Sequence, residues 1–345
     1  MEKIISWGIL GCGDVAEKKS GPAFGKVAHS RLLAVMRRNG EKAKDFAQRH
    51  GVPHWYDNVG ELLENPKIDA VYIATPPASH LELALKAMEA GKNVYLEKPM
   101  AMDRCQAETL VKALKSSGVK LTVAHYRRRM PAFVKVKELL DQNAIGDIRF
   151  ADIQILQPHK SGIIAETDVN WRVDPSISGG GYFHDLAPHQ IDLMYHYFGD
   201  FEQAHGLAAN QGKQYAAPDL VQGIASFANG VQFRGIWSFN VPEGNAKDLC
   251  VVYGSRGSLE FSFYGEKVLL RNMDNKEEVF SFAPLNHVQQ PMIEATTAYF
   301  LGKGPNPCSA EEGLEAIKLM DKFVGKHSMG LPQTQMIIPF RHKSN

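Results

Sequence analysis

Read as a pattern of apolar and polar positions, the chain changes character once. Up to about residue 125, short apolar runs at residues 4–10, 32–36, 70–74, 93–96 and 121–124 predict strands. Between them, residues 41–50, 79–90 and 103–117 carry apolar side chains at helical spacing. In the last of these, Cys105, Leu110, Val111 and Leu114 share one stripe. Gly91 and Gly118 stand where such helices stop. Strand–helix–strand alternation predicts a parallel sheet covered on both faces, built from right-handed crossovers.

Beyond that point the helices thin out. Residues 131–142 predict one amphipathic helix, and strands are then expected at 148–157, 206–209, 220–227, 231–239, 249–253, 258–263, 267–271 and 278–282. Turn residues at 228–230, 254–257 and 272–276 join them as hairpins, so this sheet is mostly antiparallel. One helix at 185–197 interrupts the series, and helices at 292–300 and 311–324 close it. The expected class is α/β, with residues 1–125 as one domain and 126–345 as a second.

Composition agrees with that division. A chain of 345 residues, at about 150 per domain, holds about two domains. Lys+Arg number 39 against 38 Asp+Glu, a net of +1, which excludes a strongly basic nucleic-acid binder. Hydrophobic residues at 44% and charged ones at 22% fit a globular rather than a disordered chain. No run approaches roughly 18 consecutive apolar residues, so no membrane span is expected. The opening Met-Glu-Lys-Ile-Ile-Ser lacks the features of a secretory signal. Cys12, Cys105, Cys250 and Cys308 are scattered, with no C-x-x-C pair. Free thiols in a reducing cytoplasm are expected, rather than disulfides or a cysteine zinc site.

Chemistry enters at the end of the first apolar run. Gly11-Cys12-Gly13-Asp14-Val15-Ala16 has the form G-x-G-x-x-A. Gly11 permits a tight turn, Gly13 lets backbone approach a pyrophosphate, and Ala16 lets the next helix pack closely. The plain alternative is a glycine turn with no ligand. Its position at the head of a βαβ series favours a dinucleotide. After the second run, where an acidic residue would bind the ribose of NAD, stand Arg37 and Arg38. A guanidinium there can pair with a 2′-phosphate, which favours NADP(H) and leaves NAD open.

Further segments complete a pattern. Ala74-Thr75-Pro76-Pro77-Ala78-Ser79-His80 follows the third run, and Glu97-Lys98-Pro99 follows the fourth. Gly179-Gly180-Gly181-Tyr182-Phe183-His184-Asp185-Leu186-Ala187-Pro188-His189-Gln190-Ile191-Asp192 lies in the second half. With the glycine turn, in this order and spacing, the chain resembles the Gfo/Idh/MocA family from about residue 4 to about residue 325. The resemblance implies an N-terminal Rossmann domain with a doubly wound parallel sheet. It implies a C-terminal α+β domain with a large open, mostly antiparallel sheet. In the family such sheets often pack face to face with another subunit, so a homodimer or homotetramer is expected.

The resemblance also implies roles. Lys98 matches the catalytic lysine, Asp185 the substrate-contacting aspartate, and His189 the acid/base histidine. Thr75 and His80 match positions lining the cofactor cleft, and Glu97 one that contacts the cofactor or steadies the turn, with Gly11, Gly13, Asp14, Val15, Ala16, Arg37, Arg38 and Lys98 as further cofactor positions. Arg172, after Trp171, matches a substrate position. In many relatives the peptide before Pro99 is cis. Asp185 and His189, four apart, project from one helical face, with Asp192 near it. Without the companion motifs, Asp185 reads as a helix cap and His189 as a core histidine. One of Arg127, Arg128 and Arg129 is expected at the cleft, while His125 and His287 are expected in core or surface roles. His159, His184 and His196 have no ligand spacing, so no metal is expected.

The implied activity is hydride transfer between NADP(H), or NAD(H), and a sugar, polyol or related secondary alcohol or ketone. Loops at 158–168 and 241–248 are expected to select the substrate. Two alternatives stand beside it: a glycosidase working through transient oxidation and elimination on NAD, and a dinucleotide-binding regulator without turnover.

Overall fold

The structure, a computed structural model, describes residues 3–164 and 170–325. Residues 165–168 of the expected substrate loop and 326–345 of the second expected domain lie outside the described residues.

Six parallel strands form the first sheet: β1 (Ile5–Leu10), β2 (Ser30–Met36), β3 (His54–Tyr56), β4 (Ala70–Ile73), β5 (Asn93–Leu96) and β6 (Leu121–Val123). Their order is β3-β2-β1-β4-β5-β6, that of a doubly wound Rossmann sheet. β1 is buried at every position, which is why its sequence is mostly apolar rather than alternating, with Ser6 the polar exception. Leu10 pairs with both Met36 and Ile73, so the ends of β1, β2 and β4 align. Strand order reverses between β1 and β4, and the loops after these strands open a crevice there.

Helices α1 (Gly40–His50), α2 (Val59–Glu64), α3 (His80–Glu89) and α4 (Arg104–Ser117) cover this sheet. Asn39 caps α1 and Asp103 caps α4 through their side chains. Gly51 and Gly118 end these two helices in the left-handed region. β3 and α2 have no counterpart in the sequence pattern. β3 is three partly exposed residues, and α2 is one and a half turns held by the Asn58 cap, too short for periodicity to register. The helix expected after the glycine turn is also curtailed. One π-helical turn, Ala16–Ser20, passes into a 3-10 turn, Gly21–Ala23, because Pro22 has no N–H to continue the ladder.

The second sheet has eight strands: β7 (Ile148–Leu156), β8 (Phe201–Ala209), β9 (Leu220–Phe227), β10 (Gln232–Ser238), β11 (Lys247–Gly254), β12 (Gly257–Phe261), β13 (Lys267–Asn272) and β14 (Glu277–Ser281). The order is β14-β13-β12-β11-β7-β10-β9-β8. Only β7 and β10 pair in parallel. β8 begins five residues before its expected start, because pairing with β9 extends it to Phe201. Helices α5 (Pro131–Asp141), α6 (Pro175–Ser178), α7 (Gly181–Phe198), α8 (Gln290–Phe300) and α9 (Ala310–Phe323) complete the chain.

The second core joins Phe133 of α5, Phe183 of α7 and Phe323 of α9 to Ile153, Trp237 and Phe261 of the sheet. Burying each such side chain contributes about 1.5–3 kcal/mol before entropy is subtracted. The opposite face leaves Leu207 at 76% and Ile224 at 58% exposure, with Phe150 stacked on Tyr253 beside them. After the second sheet the chain returns to the first. Met292, Ile293 and Phe300 of α8 enter the Rossmann core, and α9 gives Leu314 and Ile317 to it. All four cysteines are free thiols. Among the described residues, no helix is long and apolar enough to cross a membrane.

Candidate active site

The glycine turn follows β1 directly. Gly11 has φ +93°, and a Cβ on it would come within 2.7 Å of Thr75 Cγ2, so both conformation and space require glycine. The Met36 carbonyl holds the Gly11 and Cys12 amides at 2.9 and 3.2 Å. Among the described residues, no atom beyond Gly13 and its chain neighbours lies within 4 Å of where a Cβ would stand. That open cradle fits a pyrophosphate. Asp14 is exposed, Val15 half-buried and Ala16 fully buried under the turn. Arg37 is half-buried and Arg38 exposed just past β2. Burial pushes the Cys12 thiol up to about 11, and the Arg37 charge pulls against it, so the Arg37 guanidinium stands near the turn.

The loops after β4 and β5 form the next layer. Thr75 is half-buried, and its hydroxyl receives a 2.8 Å bond from Ser79. His80 is completely buried, with its Nδ1 2.8 Å from the Pro99 carbonyl oxygen and its Nε2 2.8 Å from that of Thr75. It ties the two loops together from behind rather than lining the cleft. Burial holds its pKa below 6.5, against the pull of the two carbonyls. The Lys98–Pro99 peptide is cis. Glu97 is buried as well, and accepts bonds from Tyr72, Gln289 and the Lys98 amide.

The two halves meet at Lys98. Its Nζ donates to the Asp185 carbonyl at 2.8 Å and to Asp185 Oδ1 at 3.0 Å. Arg172 Nε donates to Asp185 Oδ2 at 2.9 Å, and its guanidinium lies 4.5 Å over the Trp171 ring. Lys98 and Asp185 keep 11% and 14% side-chain exposure, so the pair borders the cleft. An ammonium has three donors, and Asp185 takes two of them.

α7 begins at Gly181, four residues before its expected start, so Asp185 lies inside the helix rather than capping it. Gly181 has φ +76°, and a Cβ there would meet that of Ala217 at 2.5 Å. Pro188 sits within α7 and gives no N–H to the carbonyl four residues back. Lys98 reaches α7 in this same stretch. His189, one turn beyond Asp185, is buried, with the Tyr126 ring edge-on at 5.0 Å.

Neither Arg127 nor Arg128 is a solvated cleft residue. Arg127 donates to the Phe263 carbonyl at 3.1 Å and stacks 4.6 Å from the Tyr264 ring. Arg128 donates to Asp192 from Nε and Nη2 at 2.9 and 2.8 Å, and to Glu312 at 2.6 Å. Arg129 is exposed. Buried His125 joins the Asp192 cluster, whereas His287 meets Lys26 at 2.8 Å in an exposed contact. Among the described residues, His125, Asp192 and Cys308 are spaced as metal ligands, but Arg128 already occupies the carboxylate. Sequence reasoning missed Tyr264, a turn residue 37% exposed whose ring stacks on the Arg127 guanidinium. It also missed Tyr72 and Gln289. A tyrosine in a strand and a glutamine before a helix carry no motif.

A parallel nucleotide-binding sheet joined at a lysine–aspartate contact to an open antiparallel sheet defines a two-domain oxidoreductase. The profile for the oxidoreductase family with an NAD-binding Rossmann fold matches residues 5–125, and that for the GFO/IDH/MocA C-terminal domain matches residues 133–260. The chain belongs to the Gfo/Idh/MocA oxidoreductase family. It is 53% identical over 325 residues to oxidoreductase P35 of Formosa agariphila, covering 94% of this chain and all of that one, 100%. It is 29% identical over 326 residues to a 1,5-anhydro-D-fructose reductase of Ensifer adhaerens, covering 89% and 92% of the two chains. An oxidoreductase from Thermotoga maritima superposes with a TM-score of 0.82 at 26% identity, over 94% of this chain and 98% of that one.

Proposed function

We propose that this protein interconverts a secondary alcohol and a ketone of a sugar or polyol, with NADP(H) as the preferred dinucleotide. The observation that carries the reading is the clamp on Lys98. Asp185 takes two ammonium donors and Arg172 steadies Asp185, which leaves a third donor for a substrate oxygen. The nicotinamide, when bound, supplies or accepts the hydride. Gly11, Gly13, Asp14, Val15, Ala16 and Thr75 would hold the dinucleotide, with Arg37 and Arg38 at the 2′-phosphate.

In the oxidative direction the hydroxyl oxygen accepts a bond from Lys98 Nζ, and its proton passes to a ring nitrogen of His189. In the reductive direction His189 returns that proton to the oxygen. Asp185 aims the lysine, and Arg172 borders the substrate. The substrate class rests on the relative named as a 1,5-anhydro-D-fructose reductase.

The exposed face with Leu207 and Ile224 supports a homodimer or homotetramer through the open sheet. Four free thiols support a cytoplasmic setting. The test is an optical screen of 1,5-anhydro-D-fructose, other ketoses, aldoses and inositols against NADPH, NADP⁺, NADH and NAD⁺. Turnover of a carbohydrate, faster with the phosphorylated pair, is expected. A panel with no turnover overturns the substrate class, and faster turnover with NADH overturns the role of the arginines.

A further inference from the structure

We propose that Tyr72 and Gln289 are positioning residues for Lys98, holding the Glu97 carboxylate as the anchor of the lysine's backbone. The inference rests on Lys98 being the working lysine. Glu97 is only 6% exposed, and a carboxylate at such depth persists only when donors surround it. Three do. Tyr72 Oη and Gln289 Nε2 both donate to Oε1, the amide at 2.6 Å, while Oε2 receives the Lys98 amide at 3.2 Å.

Each donor is itself held in one orientation. Tyr95 Oη donates to Gln289 Oε1 at 2.9 Å. A reversed amide would turn an oxygen towards the carboxylate, so Nε2 must face Glu97. Tyr72 spends its one hydrogen on Glu97. Its oxygen receives Gln289 Nε2 and Ser20 Oγ, each at 3.2 Å. Burial, reinforced by the charge of Glu97, pushes the Tyr72 phenol well above its usual range, so it stays a donor.

The three parts come from distant stretches of chain. Tyr72 is on β4 and Gln289 precedes α8, where the chain has returned from the second sheet. Ser20 ends the short helix that follows the glycine turn. One bonded path therefore runs from the dinucleotide turn through Ser20, Tyr72 and Glu97 to the Lys98 amide. The titratable groups that face Glu97 are Tyr72, Tyr95, His80 and Lys98. His80 holds the other flank of the same motif at the Pro99 carbonyl.

The test uses the full chain labelled with carbon-13 at the glutamate side-chain carboxyls, with Glu97 assigned by the signal lost in Glu97→Gln. Tyr72→Phe and Gln289→Leu each remove a donor with little change of volume. The Glu97 carboxyl resonance at pH 7 is expected to move by more than its linewidth in each. An unmoved resonance in both variants overturns the proposal. Turnover of 1,5-anhydro-D-fructose with NADPH gives a second arm. A fall in kcat of about tenfold, with KM for NADPH within about twofold, is expected. A moved resonance with unchanged kcat also overturns it. No turnover by the wild type would refute the substrate reading, while the carboxyl resonance still decides this one.

Discussion

Helix α7 carries two aspartates seven residues apart, one buried and one half-buried, and they are treated oppositely. Asp192 is 1% exposed, and Arg128 grips it while reaching Glu312 with another nitrogen. Glu312 in turn closes the capping box of α9 on Ser309, so the network runs from α7 into the start of α9. Asp185 is 14% exposed, and its partner Lys98 has three donors of which the aspartate takes two. A closed, buried cluster pins the helix. A more open, partly exposed pair is within reach of a ligand. The difference lies in burial, because the residue types are nearly the same.

The largest expected effect is at the open cluster. Lys98→Ala should cut turnover by about 10²–10⁴-fold and leave NADPH binding by fluorescence within about twofold. Undiminished turnover would erase the functional half of the contrast. His189→Ala should behave the same way. At the closed cluster, Arg128→Ala strands two carboxylates. Urea titration should show a loss of about 3–5 kcal/mol, and a loss below about 1 kcal/mol would mean that this network pins nothing.

Acid should separate the clusters further. Burial lowers both His125 and His196, near Asp192, to about 4, against about 6.5 in an unfolded chain. The unfolded state therefore binds more protons over that interval, and stability falls as pH drops from about 6.5 towards 4. His125→Gln should flatten the melting temperature against pH, whereas Lys98→Ala should leave its slope unchanged. The smallest effect is expected farthest from both clusters. Arg37→Asp should weaken NADPH by about tenfold, roughly 1.4 kcal/mol, with NADH little affected, as isothermal titration would show.

Much of this architecture could be read before any coordinates. The parallel-to-antiparallel change near residue 125, the glycine turn and the Glu97-Lys98-Pro99 motif all announce themselves within short windows. β3 and α2 did not, because three residues and six residues are shorter than the periods that would reveal them. The sequence places one of Arg127, Arg128 and Arg129 at the cleft without saying which, because burial of an arginine depends on partners elsewhere. Those partners, Phe263 and Asp192, lie 136 and 64 residues away.

The sequence by itself determined the class of fold, the glycine turn and the residue types of the candidate site, since each depends on neighbours within about ten positions. Tertiary structure alone decided which of those residues work together. Lys98 meets Asp185 across 87 residues, and Glu97 meets Gln289 across 192. Only packing of the two sheets fixes such distances. Packing also decided that His80 would brace two loops, and that Asp192 would be buried while Asp185 kept some exposure. Burial and the number of donors around a carboxylate are properties of the folded neighbourhood, which no local pattern of apolar and polar residues encodes.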